Sequence, residues 1–579
     1  MKRQLIVDDY PRPQARRESF INLNGEWDFF MDYDNEGDAK DFKNGFEKQY
    51  LINVPFAYQT SPSGIGIEKR CDHVWYQKKL SYEKKDGVRM FLHLEGSDYH
   101  TTVFLNGSKV GEDTGAYHRE DFELTNYLVN GENLLVIKCD DDYSKEKPRG
   151  KQRWEDKNFG CWYLDTTGIY KTAWLEEVSS SFIKDFLIVT NQDEKEADIH
   201  VEVDGKEGLT IEAILSYEGK EVAKETTTSK DITLHIQDEL HLWNVLDPKI
   251  YDLELRLIEN GKIIDDVYSY LAFRKLESKD GKTYLNGKRL YQRLILDQGY
   301  FEEGKLTPKD GNELLNDIKL MMDIGFNGAR KHQKIEDERF YYYADMLGYI
   351  CWAEMPSMYQ LSEGSKKTFE REYVLALKQL RNHPAIITWV PFNESWGIED
   401  VATNKDTQDF VNHICKITKD IDSTRFCISN DGWEHTKSDL ITIHDYEQNG
   451  DLLNAKYPNA QEASVVHYEW RGKHAFADNY FYQGEPMLLT EFGGTAFKNN
   501  YGGEKENWGY GEGVKDNEDF INRLSLLVKT IVDIPFFEGF CYTQLSDVEQ
   551  EVNGLVKEDR TYKLPKDILL SIFSTPRKE

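Results

Sequence analysis

The 579-residue chain contains no run of about 18 apolar residues, which argues against a membrane-spanning helix. It has no basic excess: 72 Lys and Arg stand against 103 Asp and Glu, a net charge of −31. That balance argues against duplex nucleic acid as a main partner and against an anionic membrane surface. Cysteine is sparse, with seven residues at 71, 139, 161, 351, 415, 427 and 541 and no C-x-x-C pair. The apolar neighbours of Cys351 and Cys541 point to buried free thiols in a reducing compartment. Residues 2–9 run from basic to acidic before any apolar core forms, so they are not a Sec signal peptide, and the expectation is cytoplasmic. Only 15 prolines, beside 13% aromatic residues, argue against disorder. At roughly 100–200 residues per domain, the length predicts about three to four domains.

Three textures follow one another. Residues 1–177 are β-rich: 91–96, 102–105 and 134–139 read as strands, and Asn106-Gly107 as a turn. This is expected to be a jelly-roll sandwich, its dense Trp and Tyr serving as core and cross-strand pairs. Residues 178–276 alternate in short strands such as 199–203 and 251–257, the pattern of an immunoglobulin-like sandwich with no chemistry of its own. From 277 to 579, short apolar runs alternate with helical spacing, as in Leu314, Leu315, Ile318, Met321 and Met322. Strands are predicted at 290–296, 325–331, 348–353, 386–392, 425–429, 440–445, 487–490 and 538–543, the count of a (β/α)8 TIM barrel.

In such a barrel the reactive residues project from the C-terminal strand ends. Those positions carry Asp297, Arg330, His332, Asn393-Glu394, Trp396, Trp433, His444, Tyr446, Glu491, Tyr542 and Gln544. Glu394 and Glu491 follow strongly apolar strands four and seven, roughly opposite each other across the ring. Two carboxyl groups about 5–5.5 Å apart are what retaining glycoside hydrolysis requires. One attacks the anomeric carbon as an anion; the other donates a proton to the leaving oxygen and later activates water. Aromatic rings can face a sugar while Asn, Asp, His and Arg bind its hydroxyls. No G-x-S-x-G, H-E-x-x-H, Walker A or Rossmann glycine pattern occurs. The spacing of His332 and His444 specifies no metal; no cofactor is required, and a structural cation stays open.

Several further motifs carry a family resemblance over nearly the whole chain. These are Pro11-Arg12-Pro13-Gln14 with Leu23-Asn24-Gly25-Glu26-Trp27, then Val74-Trp75-Tyr76, then Asp165-Thr166-Thr167-Gly168-Ile169-Tyr170. Leu242-Trp243 with Asp247-Pro248, Phe273-Arg274-Lys275 and Leu285-Asn286-Gly287-Lys288 follow in order. Together with Asn393-Glu394 and Thr490-Glu491-Phe492-Gly493 the chain resembles glycoside hydrolase family 2, which includes β-galactosidases, β-glucuronidases and β-mannosidases. The resemblance implies Glu394 as acid/base, Glu491 as nucleophile and Asn393 on the sugar's 2-hydroxyl. It also implies Tyr446 near the nucleophile and Arg330 and His332 at the family's second-strand positions.

Three departures stand out. The run after the first barrel strand is Leu296-Asp297-Gln298-Gly299 where the family usually has Arg-His-Glu, the eighth strand offers Tyr542 instead of Trp, and residues 495–515 hold no Asn-x-Lys triplet of the kind that reads a glucuronide carboxylate. The expected activity is retaining exo-hydrolysis of a terminal β-linked sugar, with a β-galactoside as first choice. A β-glucuronidase, a β-mannosidase, a transglycosylase and a non-catalytic carbohydrate-binding protein are the alternatives. An oligosaccharide or glycoside is the expected partner, and a homo-oligomer is plausible.

Overall fold

Alternation of apolar and polar residues builds the two N-terminal sandwiches in this computed structural model, which describes residues 5–577 apart from 466, 469–471 and 504. In the strand Gly131–Asp140, Leu135, Ile137 and Cys139 face a core shared with Trp27, Phe29 and Tyr76. That core lies between a six-stranded antiparallel sheet and a four-stranded one. In Tyr251–Glu259 the residues Tyr251, Leu253, Leu255 and Leu257 all point inward, between a three-stranded and a four-stranded sheet. Arg17 crosses between the two units, pairing with Glu176 (3.1 Å) and Asp265 (2.8 Å).

A short antiparallel element, Leu276–Arg289, turns on Asn286-Gly287 with both φ angles positive, and leads into the barrel. Eight parallel strands follow: β1 Gln292–Asp297, β2 Gly328–Lys331, β3 Ile350–Glu354, β4 Ile386–Val390, β5 Phe426–Cys427, β6 Ile441–His444, β7 Met487–Gly493 and β8 Phe537–Thr543. They pair in the order β5-β4-β3-β2-β1-β8-β7-β6. Residues of β3, β4 and β7 are buried throughout, because helices cover one face and the barrel interior the other. The ladder lapses between β5 and β6. There the Thr442 N–H donates to His435 Nε2 (3.0 Å), an imidazole that burial pushes down to about 4 and so keeps neutral.

The predicted strands all appear, with two shifts that matter. β5 is shorter than 425–429 because Asp439 takes over its edge, accepting from the Cys427 N–H (2.8 Å). β7 continues to Gly493, so Glu491 lies within the strand and is held by its ladder. The seven cysteines are free thiols, and no helix among the described residues is long and apolar enough to cross a membrane.

Candidate active site

Strand ends of the barrel gather three carboxyl groups around one arginine. Arg330, the third residue of β2, is fully buried; its Nε donates to Glu354 Oε2 (2.6 Å) and its Nη2 to Asn393 Oδ1 (2.6 Å). Its Nη1 meets Asp431 Oδ2 (2.6 Å) and Glu491 Oε1 (2.9 Å). Burial opposes the guanidinium charge, but Asp431, Glu354 and Glu491 outweigh it and hold Arg330 well above its ordinary value. Glu354 answers differently: burial, only partly offset by Arg330, pushes its carboxyl up to about 7. Asp431 is buried as well, yet Arg330 and His444 hold it far below the usual carboxylate range.

Glu394 and Glu491 each place an oxygen within 4.8 Å of the other, with a His444 nitrogen inside the same distance. His444 Nδ1 lies 2.9 Å from Glu394 Oε1 and 3.6 Å from Glu491 Oε2, and its Nε2 lies 3.0 Å from Asp431. Burial disfavours an imidazolium there, but Glu491 and Asp431 outweigh it and push His444 up to about 10. The Tyr446 hydroxyl donates to Glu491 Oε2, and burial followed by the Glu491 charge holds that phenol protonated. Glu394 sits at φ +51°, followed by Ser395 at φ +60°, a left-handed pair costing about 1–3 kcal/mol each. The turn is held by the Glu394 N–H donating to Asp431 O (2.9 Å) and the Ser395 N–H donating to Asn430 Oδ1 (3.0 Å). Gly432 is required beside it: at φ +104°, a Cβ would stand 2.7 Å from the His444 ring.

Thus Arg330, Asn393, Glu394, His444, Tyr446 and Glu491 converge. His332 joins them, its Nδ1 2.9 Å from Glu354; burial, then the charges of Lys151 and Arg330, push it well below its ordinary value, so it stays neutral. Trp433 is buried with its ring edge-on to His444 (centroids 5.5 Å), a backing for that imidazole. Asp297 is not brought to the pair; its carboxylate binds the Lys331 ammonium (2.8 Å) and the Gly299 N–H (2.8 Å). Gln544 bonds to Asn553 (2.7 Å) and Gln298 beneath the rim. Tyr542 is a correction. Strand alternation turns it outward, where its ring packs on Phe492 (5.4 Å) and Phe573 (5.3 Å), while the neighbouring Thr543 faces Tyr446.

The site has a roof that strand-end reasoning missed. Residues 149–163 of the jelly-roll domain cross the barrel mouth. Arg149 and Gly150 N–H groups donate to Ser357 O (2.9 and 3.1 Å), and the Tyr359 hydroxyl donates to Gly150 O (2.6 Å). At the far end Tyr163 donates to Glu551 and accepts from Gln298 Nε2 (3.1 Å). Trp162 meets Trp396 edge-on (5.4 Å) and Tyr359 (5.5 Å), and Trp154 meets Tyr359 (4.6 Å), so Trp396 belongs to an aromatic wall beside Glu394. Tyr510 stacks flat on Tyr446 at 3.5 Å. Among these, Asp431 and Glu354 carried the same strand-end signal as their neighbours; the roof carried none.

With that geometry in hand, comparison with known proteins is decisive on kinship. The glycosyl hydrolases family 2 TIM barrel domain matches residues 276–566, half of the chain. The chain belongs to glycosyl hydrolase family 2. Two further domains of the family match in order: its galactose-binding-like domain at residues 66–192 and the central family 2 domain at 181–274. Among curated relatives, a putative β-glucuronidase of Formosa agariphila is 27% identical over 65% of this chain and 46% of its own length. A β-galactosidase of Thermoanaerobacter pseudethanolicus is 26% identical over 70% of this chain and 54% of its own. The chain thus spans about half the length of these relatives. The β-glucuronidase of Ruminococcus gnavus, solved with D-glucuronic acid, superposes with a TM-score of 0.80 at 16% identity, covering 98% of this chain and 100% of that one, which is a likeness of fold.

In this family 2 barrel, the group with metal-ligand spacing among the described residues is Glu394, His444 and Glu491 itself. A guanidinium and a charged imidazole already face those oxygens, so the donor set suits proton transfer better than a cation.

Proposed function

We propose that this chain is a retaining exo-β-glycosidase acting on a terminal β-linked sugar. The observation that carries the reading is the pair Glu394 and Glu491, whose oxygens approach within 4.8 Å at the C-terminal mouth of the barrel. Glu491 is the nucleophile: Arg330 and Tyr446 donate to its two oxygens and orient it. Glu394 is the acid/base. It donates a proton to the aglycone oxygen as the glycosyl–Glu491 ester forms, then takes a proton from the water that releases the sugar. Asn393, oriented by Arg330, is placed for the sugar's 2-hydroxyl, and the roof closes one side of the mouth, as a site for chain ends requires.

The relatives named above, a β-galactosidase and a putative β-glucuronidase, support a β-glycoside and divide over the sugar. A panel of 4-nitrophenyl β-glycosides with the first-formed anomer followed by proton NMR tests the reading; a β-product is expected, and an α-product contradicts retention. Glu394→Ala should keep the first step on substrates with good leaving groups and recover turnover with azide. Equal loss on all substrates without azide rescue would count against its role.

A further inference from the structure

His444 stands between both glutamates, yet hydrolysis by the two carboxyls alone gives it no part. Strand register puts it there. Along β6 and β7, Ile441, Thr442 and Ile443 pair with Met487, Leu488 and Leu489, and a bulge then sets His444 opposite Glu491. A regular ladder would have put Thr490 in that place; bulges beside active sites re-aim a side chain in this way. The ring is also held from turning away. Its Nε2 lies 3.0 Å from Asp431 Oδ2, Trp433 abuts it edge-on, and Gly432 passes so close that a Cβ would stand 2.7 Å from it. Nδ1 therefore faces both catalytic carboxyls, 2.9 Å from Glu394 Oε1 and 3.6 Å from Glu491 Oε2.

The groups around the ring decide its charge. Glu394 from the end of β4, Asp431 from beyond β5 and Glu491 from β7 face it as acids. Arg330 from β2 faces it as a cation, Nη1 standing 3.4 Å from Nε2, but is itself bound to three carboxylates. His435 nearby is neutral. Both ring nitrogens thus meet carboxyl oxygens, the arrangement that suits an imidazolium with an N–H on each. The raised titration of His444 agrees with that charge.

In retaining hydrolysis the negative charge changes place. Glu491 is the anion in the free enzyme; Glu394 is the anion once Glu491 has become an ester and Glu394 has given up its proton. We propose that His444 is a fixed imidazolium that changes carboxylate partner at each half-reaction, facing the Glu491 anion in the free enzyme and the Glu394 anion in the glycosyl-enzyme. In the first step a Glu491 oxygen bonds to the anomeric carbon, the bond to the aglycone oxygen breaks, and the Glu394 proton goes to that oxygen. In the second, water displaces the ester and leaves one proton on Glu394. His444 gains and loses none. One preoriented cation, 2.9 and 3.6 Å from the two carboxyls, stabilises both anionic states without solvent rearrangement. His444 touches no sugar atom here; it is a positioning residue that acts through the glutamates. This inference rests on the glycosidase reading above.

The test follows kcat/KM against pH for wild type and His444→Gln, in the full chain, on the aryl β-glycoside hydrolysed fastest. The acid limb reports ionisation of Glu491 and the alkaline limb that of Glu394. Removing one shared cation should move both limbs up by about one unit or more and lower the value at the optimum about 10- to 100-fold. Limbs that stay in place while the rate falls would overturn the proposal and show a merely structural histidine. A second measurement needs no turnover: 15N-histidine NMR of wild type, Glu394→Gln, Glu491→Gln and the double variant, with the His444 signal identified by its absence from His444→Gln. An imidazolium is expected at neutral pH in wild type and in both single variants. Its titration should drop by about one unit or more only when both glutamates are replaced. A neutral ring in wild type or in Glu491→Gln would overturn the proposal. If wild type hydrolyses no glycoside, the glycosidase reading falls and the exchange with it; hydrolysis with unmoved limbs or a neutral ring removes the exchange alone.

Discussion

Below the two glutamates the barrel buries charge, whereas above them the loop 149–163 offers half-exposed rings and a lysine. Arg330, Glu354, Asp431 and His444 are all inaccessible to solvent and bonded to one another; Trp154 and Trp162 are only half-buried and meet other rings, and the half-buried Lys151 meets the Cys161 thiol. Floor and roof therefore answer to different physics. The floor fixes protonation states and positions through short charged contacts in low dielectric, which on the proposed function would serve any β-glycoside. The roof supplies aromatic contact area at the mouth of the same site.

The comparison breaks first at the floor. Glu491→Gln should cost several orders of magnitude in turnover on every substrate, whatever the sugar, in steady-state assays; near-normal activity would remove it as nucleophile. Arg330→Met should follow. It leaves Glu354, Asp431 and Glu491 facing each other without their guanidinium, a loss of about 3–5 kcal/mol read in the urea midpoint. A midpoint shift below 1 kcal/mol would mean the hub is not what holds the strand ends. Tyr446→Phe removes one charge-assisted hydrogen bond to Glu491 and should lower kcat about 10- to 100-fold across substrates.

Roof changes should be smaller and selective. Trp162→Ala, which strips the edge-on contacts with Trp396 and Tyr359, should raise KM for aryl glycosides about 2- to 10-fold and alter kcat less. A uniform drop in kcat would erase the distinction between floor and roof.

A pH series sharpens it from another side. His444 titrates at about 10 in the fold and near 6.5 unfolded, so its folded value is raised. Its contribution to stability is fully present below about pH 6.5 and is lost as pH rises through about 10. Melting temperature should therefore fall between those pH values, and His444→Gln should flatten that slope; an unchanged slope would place the titration elsewhere.

The floor was legible in the sequence because each barrel strand delivers its reactive residue to the same end. Glu394 and Glu491 follow runs such as Ile386–Val390 that no surface strand would carry. Period-two alternation within those strands was the signal left unused: it turns Tyr542 out towards Phe573 and Thr543 in towards Tyr446. Asp297 sits at a strand end too, but Lys331, three positions past the β2 glycine, captures it, a pairing that depends on register between strands. Lys151 and Trp162 could not be read at all. They lie in another domain, and what brings them to the site is a set of backbone hydrogen bonds to Ser357 and side-chain bonds to Glu551 and Gln298.

The most direct measurement is covalent trapping. Incubated with a 2-deoxy-2-fluoro glycoside of the sugar it hydrolyses fastest, the enzyme should gain the mass of one fluoroglycosyl group, localised by peptide mapping to Glu491. A stable adduct on any other residue, or continued hydrolysis of that glycoside without a bound sugar, would contradict the partnership of Glu394 and Glu491.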